Sequence, residues 1–369
     1  MGHEFTGEVV ETGDQVKTFK KGEKVVSPFT VSCGDCYYCA RGFSSRCARG
    51  QLYGSVILDG GQAEYVRVPL ADSTLFHAPA AIDEKKLVLM ADIFPTGYFA
   101  ASNGFKSLSP TDVQESTVLL FGCGPVGICA LVSALEHRPK NLIAIDSVPA
   151  RLELAKSLGA EPWNFQENEA GLRERVKELT DGRGADVVIE VVGHSSALRM
   201  GFELLRPWGV LSSVGVHNGE IPWTGNEAYG KNLRIQMGRC PVRTNFAGIF
   251  PEAMDLLAKK QNFYGRRHTA TLPSRSGSEI EYLPVTITAG SGSVSSVSTT
   301  TSSPDATGTS DTSSEATKSS SSQNTESSVP TTSSVAGASQ TSSAGVPRIT
   351  GNAYFAFGGA AVVLAAGTW

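Results

Sequence analysis

Two patterns of apolar and polar positions follow one another along the first 240 residues. Short β-branched runs come first, at residues 5–10, 24–28 and 63–69, and turns rich in Gly, Asp and Lys separate them. Runs of this length between turn residues predict a small all-β unit. From about Leu87 the apolar segments become longer and their period changes.

The longer segments alternate between strand-like and helix-like periodicity. Strands are predicted at 116–121, 141–146, 186–192, 209–214 and 232–236, and helices at 126–136, 150–158 and 195–205. Strands that alternate with helices imply a parallel, doubly wound sheet, so we predict an α/β fold. After Cys240 the pattern weakens to one further predicted helix at 251–260.

The composition changes after about Thr271. Residues 274–343 are dominated by Ser and Thr and contain few aromatic or charged side chains, so they cannot bury enough apolar surface to offset their ordering entropy. We therefore predict a disordered Ser/Thr-rich segment at 273–352. The apolar C-terminal segment at 353–369 is shorter than the ~20 residues of a membrane-spanning helix. Small residues at 343–345 and a polar spacer precede it, a pattern similar to the signal for a glycolipid (GPI) anchor.

The charge and the N-terminal residues exclude several classes of function. A net charge of -4 leaves no basic footprint, so nucleic acid and anionic membranes are not expected as main partners. The N-terminus has no apolar signal core, which argues against an oxidising compartment and a disulfide framework. We predict a cytoplasmic protein. The alternative is attachment to the cell surface through the anchor-like segment.

Four of the seven cysteines lie within fifteen residues, at Cys33, Cys36, Cys39 and Cys47. A structural zinc suits this spacing, because a tetrahedral ion about 2.3 Å from each sulfur needs four thiolates that converge from one compact loop. The alternatives are four free thiols or two disulfides, and the missing signal peptide disfavours the disulfides. The other three cysteines are expected to be small buried side chains: Cys123, Cys129 and Cys240.

A glycine-rich motif follows the predicted strand at 116–121 and opens the next helix. This context makes the G-x-G-x-x-G pattern a fingerprint for a dinucleotide rather than an ordinary strand-to-helix turn. The first glycine permits the tight turn, the second lets the backbone approach the pyrophosphate, and the third lets helix and strand pack closely. The pyrophosphate would lie at the helix N-terminus. The predicted contacts are Gly122, Gly124, Pro125, Val126 and Gly127.

Asp146 ends the second strand of this predicted sheet. The position suits a carboxylate that binds the adenosine ribose hydroxyls and repels the extra phosphate of NADP, which favours NAD. Arg151 lies five residues further on, and its positive charge could weaken the preference for NAD over NADP. Taken alone, Asp146 could equally be a helix N-cap.

With both motifs in place, residues 2–263 resemble the zinc-containing medium-chain alcohol dehydrogenase family. The resemblance rests also on GHEFTGEVV at 2–10, GGQAEYV at 60–66, DIFPTGY at 92–98, DVVIEVVG at 186–193 and SVGV at 213–216. The segment that begins with Asp92 is most similar to the formaldehyde dehydrogenase branch and related alcohol dehydrogenases, which use aspartate where other members have cysteine. The resemblance implies a GroES-like catalytic domain with the structural zinc lobe at 1–88, a Rossmann NAD-binding domain at 89–240 and a partial return to the catalytic domain at 241–272.

The resemblance also implies a catalytic site. In the family, a cysteine near the N-terminus, the histidine of Gly-His-Glu and a later residue hold the catalytic zinc. Here His3 and Asp92 would be ligands, and Glu4 would be the neighbouring carboxylate that tunes the metal. If both ligate one zinc, a ring nitrogen of His3 and a carboxylate oxygen of Asp92 should lie within about 3.5 Å of each other. Without the resemblance, a terminal His3 is more often solvated and Asp92 more often caps a helix.

The same resemblance places further residues at the dinucleotide. Two lie nearer the adenosine and three lie against the nicotinamide: Val192 and Gly193, then Val214, Gly215 and Val216. The implied reaction is zinc-dependent hydride transfer between NAD and a small molecule, either a primary alcohol or an aldehyde hydrate. A homo-oligomer is also implied, since members of the family are commonly dimers or tetramers.

The two ends of the chain depart from the family pattern. No cysteine precedes His3, so we expect the first catalytic zinc ligand to be missing and the activity of this form to be doubtful. After about Tyr264 the chain runs into the Ser/Thr-rich segment instead of completing the catalytic domain. The alternatives are a GPI-anchored surface protein with an inert dehydrogenase remnant, or a fused gene. A zinc-free quinone or enoyl reductase is disfavoured by the cysteine cluster.

Overall fold

The computed structural model describes residues 1–241, 249–264 and 361–364. The strands in these ranges are β1 (Phe5–Glu8), β2 (Lys24–Ser27), β3 (Thr30–Val31), β4 (Gln51–Leu52), β5 (Val66–Pro69), β6 (Phe76–His77), β7 (Thr117–Phe121), β8 (Asn141–Asp146), β9 (Glu161–Asn164), β10 (Ala185–Glu190), β11 (Leu205–Ser213), β12 (Arg234–Met237) and β13 (Ala361–Leu364).

The α-helices in these ranges are α1 (Ala71–Thr74), α2 (Glu84–Leu87), α3 (Ile93–Phe105), α4 (Pro110–Glu115), α5 (Pro125–Glu136), α6 (Pro149–Leu158), α7 (Glu169–Leu179), α8 (Ser195–Leu204), α9 (Gly225–Lys231) and α10 (Ile249–Tyr264). Short 3₁₀ turns lie at Cys39–Arg41, Ser44–Arg46 and Val88–Ala91. Among the described helices, none combines the length and the apolarity that crossing a membrane would require.

The N-terminal unit is built from short antiparallel strands around its own core. Strands β1, β2 and β6 form one sheet in the order β1-β2-β6, and β3 pairs with β4. Phe5, Val25 and Tyr53 are buried together between these strands. The predicted all-β unit, with its GroES-like fold, is therefore confirmed, although β1 ends at Glu8 and not at residue 10.

Only a small part of the predicted tail lies among the described residues. Strand β13 falls within the apolar C-terminal segment and pairs antiparallel with β5. The predicted Ser/Thr-rich segment and the rest of the apolar segment lie outside the described residues. The domain limits drawn from the sequence stay predictions.

The second unit is a six-stranded sheet with the order β12-β11-β10-β7-β8-β9, and every pairing in it is parallel. Successive side chains of a strand point to opposite faces of the sheet. Accordingly, Val118 and Leu120 of β7 pack into one apolar layer, and Leu119 and Phe121 pack into the layer on the other face. A strand covered on both faces has to be apolar throughout, which explains the continuous run in the sequence. The predicted Rossmann-like sheet is confirmed.

Helix α3 is buried against this sheet and against α5. A Cβ atom added at Gly97 would lie 2.5 Å from the backbone nitrogen of Ala130, and one added at Gly104 would lie 2.8 Å from Val187 Cγ1. The hydroxyl of Ser212 on β11 donates a hydrogen bond of 2.7 Å to the carbonyl oxygen of Ala100. Two glycines and a buried hydrogen bond thus fix the position of α3 on the six-stranded sheet.

Replacement of Gly97 by Ala is expected to destabilise the fold, because the added methyl would push α3 away from the backbone of α5. Overpacking of this kind costs on the order of 1–3 kcal/mol. Urea denaturation followed by far-UV circular dichroism measures the change. The matched control is Gly230→Ala on the exposed face of α9, where a Cβ atom would meet nothing within 4 Å and a neutral or slightly stabilising effect is expected. Equal stability of both variants would contradict the close packing at Gly97.

Candidate metal centres and nucleotide cleft

The four clustered cysteines converge on one point. Their sulfur atoms all lie within 4.8 Å of one another, with 3.4 Å between Cys47 and Cys33 and 4.0 Å between Cys33 and Cys39. All four are free thiols, so the disulfide alternative does not apply. Four sulfurs about 2.3 Å from a tetrahedral zinc would be about 3.8 Å apart. The observed spacing therefore fits one zinc ion held by Cys33, Cys36, Cys39 and Cys47.

The backbone of this lobe turns sharply at glycines and directs its N–H groups at sulfur. Gly34 and Gly42 have φ angles of 78° and 82°, which is the left-handed region that glycine adopts readily. The N–H groups of Cys33 and Arg49 donate to the sulfur of Cys47 at 3.3 Å and 3.4 Å. Such donors stabilise a thiolate, the form in which cysteine binds a metal.

The four thiols differ in their acidity. The backbone N–H groups of Ala48 and Cys39 lower the pKa of Cys36 to about 6. Burial instead raises the pKa of Cys33 and of Cys39 above the ordinary thiol value. Because zinc binds thiolates, its binding has to expel the protons of the buried thiols, and the affinity of the lobe for zinc should fall as the pH falls. The remaining cysteines are buried in apolar surroundings, as predicted: Cys123, Cys129 and Cys240.

His3 and Asp92 come together although 89 positions separate them. The Nε2 atom of His3 lies 3.0 Å from Oδ2 of Asp92, within the spacing of about 3.5 Å expected for two ligands of one zinc. The hydroxyl of Thr96 donates to the other carboxylate oxygen of Asp92 at 2.7 Å. Asp92 occupies the N-cap position of α3, but its side chain makes no capping hydrogen bond. Its carboxylate is directed at His3 and Thr96 instead.

The N-terminal residues are held against the loop that contains Gly60 and Gly61. The N–H of Gly61 donates to the carbonyl oxygen of Gly2 at 3.0 Å, and the N–H of Gln62 donates to that of Met1 at 2.8 Å. A Cβ atom at Gly60 would lie 2.4 Å from the carbonyl oxygen of Met1. The glycines of this motif therefore allow the close approach that places the next residue, His3, beside Asp92.

The ionisable groups at this site influence one another. The hydrogen bond to Asp92 is the main cause that raises the pKa of His3. Burial, followed by the charge of Asp92, raises the pKa of the neighbouring Glu4. A cation at this position would remove the electrostatic cost of grouping two carboxylates around one histidine.

The glycine-rich loop has the shape that a pyrophosphate requires. Gly122 has a φ angle of 95°, and a Cβ atom at Gly127 would lie 1.9 Å from the carbonyl oxygen of Gly122. The loop therefore folds tightly onto the start of α5, at Pro125 and Val126. A Cβ atom at Gly124 would meet nothing within 4 Å, so open space lies in front of the helix N-terminus, where an anion is favoured. This geometry fits the diphosphate of NAD.

Asp146 stands behind this loop at the end of β8. Its Oδ2 accepts the N–H of Cys123 at 2.8 Å, and its Oδ1 accepts the N–H groups of Ser147 and Val148 at 2.8 Å and 2.9 Å. Burial acts to raise the pKa of Asp146, but these donors and Arg151, 3.6 Å away, hold it below the usual value. Asp146 is therefore a charged residue that also holds the glycine-rich loop in place. It is not the N-cap of α6, because that position is occupied by Val148.

The ends of β10 and β11 form the opposite part of the cleft. Val192 and Val216 are apolar yet 51% and 79% exposed. A Cβ atom at Gly122 would lie 2.8 Å from Val192 Cγ2, and one at Gly193, where φ is 78°, would lie 2.6 Å from the carbonyl oxygen of Val216. The structure thus brings the glycine loop together with the predicted contacts Val192, Gly193, Val214, Gly215 and Val216.

Glu190 belongs to this cleft, but sequence reasoning gave it no role. Its side chain is fully buried at the end of β10. It accepts hydrogen bonds from the N–H groups of Val192 and Gly193 and contacts Ser213 and His217. The available signal in the sequence was the acidic residue that directly follows the apolar run at 187–189 of this buried strand.

Comparison with known proteins agrees with the fold and the sites. The alcohol dehydrogenase GroES-like domain matches residues 1–80, and the zinc-binding dehydrogenase domain matches residues 125–259. Zinc-type alcohol dehydrogenase B of Aspergillus flavus is 66% identical over 265 residues, which are 72% of this chain and 61% of that protein. The medium chain reductase/dehydrogenase ucsI of an Acremonium species is 54% identical over 229 residues, 62% of this chain and 78% of that protein.

A solved structure shows the same fold. The alcohol dehydrogenase TADH from Thermus sp. ATN1 is 33% identical and superposes with a TM-score of 0.63, covering 70% of this chain and 73% of that chain. The chain therefore belongs to the zinc-type medium-chain alcohol dehydrogenase family, whose members are oxidoreductases that depend on zinc and use NAD(H). It spans 61% of the length of the Aspergillus flavus relative.

Replacement of Cys47 by Ser is expected to remove about one zinc ion per chain, because three thiolates leave a tetrahedral structural site open. Elemental analysis after gel filtration in a weak chelator measures the loss. Cys129→Ala is the matched control, since this cysteine is buried in α5 and should leave the zinc content unchanged. Wild-type zinc content in Cys47→Ser would contradict the assignment of the lobe.

Proposed function

We propose that this chain transfers hydride between NAD and a primary alcohol or aldehyde hydrate, with a zinc ion held by His3 and Asp92. The observation that carries the proposal is the contact of 3.0 Å between His3 Nε2 and Asp92 Oδ2. It connects two segments distant in sequence, and one of them, at Asp92, starts α3, the helix that packs against the sheet of the dinucleotide cleft. The aspartate at position 92 favours a relation to the formaldehyde dehydrogenase branch within the family.

The residues around the proposed catalytic zinc have distinct tasks. When bound, the zinc would act as a Lewis acid that lowers the pKa of an alcohol hydroxyl. His3 and Asp92 supply one nitrogen and one oxygen ligand, and solvent and substrate would fill the other positions of a tetrahedral zinc. Thr96 holds the second oxygen of Asp92 at 2.7 Å, so that Oδ2 faces His3. Glu4 places a further carboxylate nearby, where it would balance the charge of the metal.

The cleft residues favour NAD over NADP. The carboxylate of Asp146 would accept hydrogen bonds from ribose hydroxyls and repel a 2′-phosphate. Arg151 already lies 3.6 Å from that carboxylate, so its charge is partly engaged. Val192 and Val216 offer apolar surface to the ring systems of the cofactor.

Two zinc ions per chain are expected in the wild type, one in the cysteine lobe and one at His3 and Asp92. Asp92→Asn should reduce the content to about one, because an amide oxygen is a much weaker zinc ligand than a carboxylate, and it should abolish alcohol-dependent formation of NADH. Elemental analysis and a cofactor absorbance assay measure the two effects. Asp112→Asn is the matched control, since this exposed carboxylate accepts hydrogen bonds from Ser109, the N-cap of α4. One zinc in the wild type, or two in Asp92→Asn, would contradict the proposal.

Cofactor preference provides a second test. We expect NADH to bind at least about tenfold more tightly than NADPH, equivalent to about 1.4 kcal/mol. Asp146→Asn should reduce this difference in affinity, because it should weaken the binding of NADH and strengthen the binding of NADPH. Titrations that follow the fluorescence of each nucleotide measure the two affinities. Glu153→Gln removes a carboxylate from the exposed face of α6 and should leave the preference unchanged. Tighter binding of NADPH by the wild type would show that Asp146 does not select NAD.

A further inference from the structure

Buried Glu190 collects hydrogen bonds from two separate strand ends. Its Oε1 accepts the N–H groups of Val192 and Gly193 at 2.8 Å and 2.7 Å. Its Oε2 accepts the hydroxyl of Ser213 at 2.6 Å and lies 2.9 Å from Nε2 of His217. A buried carboxylate is tolerated when its lone pairs are satisfied in this way. Glu190 therefore joins the segment after β10 to the segment after β11, and both segments line the nucleotide cleft.

The contacts of Glu190 determine which nitrogen of His217 carries the proton. The two oxygens of Glu190 already accept three hydrogen bonds, from the N–H groups of Val192 and Gly193 and from the hydroxyl of Ser213, so the side chain faces the ring as an acceptor and the contact places a proton on Nε2. In the neutral ring, Nδ1 is then an acceptor. The hydroxyl of Ser213, 3.0 Å from the same Nε2, already donates to Glu190 and does not alter this assignment.

The acceptor nitrogen of His217 is available to a ligand. Within the part of the chain that the structure describes, both hydrogen-bond contacts of the His217 ring involve Nε2, and no group donates to Nδ1. Because Nδ1 is also not a buried atom without a partner, it is open to solvent. The side chain is only 11% exposed, so the ring is held firmly. Its neighbour Val216 is 79% exposed and lies on the cleft wall assigned to the nicotinamide half of the cofactor.

We propose that His217 contacts the cofactor through Nδ1, which accepts a hydrogen bond from an N–H or O–H group in the nicotinamide half of the dinucleotide. Glu190 is the positioning residue that fixes the proton on Nε2 and joins the two walls of the cleft. This inference rests on the proposed function, since it requires NAD(H) in the cleft. The donor is either the carboxamide N–H or a hydroxyl of the adjacent ribose.

Direct binding measurements test the contact without catalysis. His217→Gln keeps an N–H donor for Glu190 and removes the ring acceptor, so NADH should bind about tenfold more weakly, the effect of one hydrogen bond. AMP, which lacks the nicotinamide half, should bind the variant and the wild type equally. The control His77→Gln alters a histidine of β6 in the other sheet and should bind NADH like the wild type.

A cofactor analogue identifies the donor. The 3-acetylpyridine analogue of NADH has a methyl group where the carboxamide has its N–H donors. If His217→Gln weakens NADH but not this analogue, the carboxamide is the donor. If both are weakened, the donor is a ribose hydroxyl. Either result supports the contact, whereas unchanged binding of NADH by His217→Gln would overturn it.

The protonation of the ring provides a readout independent of the cofactor. Nitrogen-detected NMR of histidine-labelled wild type should show the single ring proton of neutral His217 on Nε2. In Glu190→Gln the amide can turn its NH₂ group to the ring, which should move the proton to Nδ1 and weaken NADH binding. A proton on Nδ1 in the wild type would overturn the inference even if Glu190→Gln did not fold.

The binding measurements separate this inference from the proposed function. Failure of the wild type to bind NADH would refute both. If the wild type binds NADH and His217→Gln binds it equally well, only this inference is refuted.

Discussion

The close approach of α3 to α5 is the constraint on which both candidate sites depend. Only a glycine at position 97 lets the two helix backbones come together, and the hydrogen bond from Ser212 to Ala100 then fixes α3 on the sheet. Asp92 lies at the start of this helix and the glycine-rich loop lies at the start of α5. One packed pair of helices therefore positions a proposed metal ligand and the glycine-rich loop together, as the proposed hydride transfer requires.

Two buried carboxylates then give the site its shape. Asp146 and Glu190 end β8 and β10, and each accepts backbone N–H groups from the loop that follows its own strand. Each also reaches a second element, the glycine-rich loop in one case and the segment after β11 in the other. Because one carboxylate can accept several hydrogen bonds at once, these two residues hold the loops on both sides of the cleft. The charges are thus part of the architecture of the cleft.

The sequence predicted most of the sheet because its central strands are buried on both faces and read as continuous apolar runs. It missed α7, where Leu172 and Val176 are the fully buried positions of a largely polar helix, and β9, an edge strand that contains Pro162. It also missed α3, since Pro95 and Gly97 argue against a helix in isolation and only tertiary packing favours one. The cysteine and glycine motifs were found because their chemistry fixes the spacing. Glu190 was not found, because its partners come together only when β10 and β11 pair.

The most direct test of the shared metal and nucleotide site is an anomalous difference map, recorded at the zinc absorption edge from crystals of the wild-type chain grown with zinc and NADH. We expect one peak among the four cysteine sulfurs and a second between His3 and Asp92, with the dinucleotide lying along the glycine-rich loop beside Val216. A map that showed the cysteine peak and the dinucleotide but no peak between His3 and Asp92 would contradict the shared site.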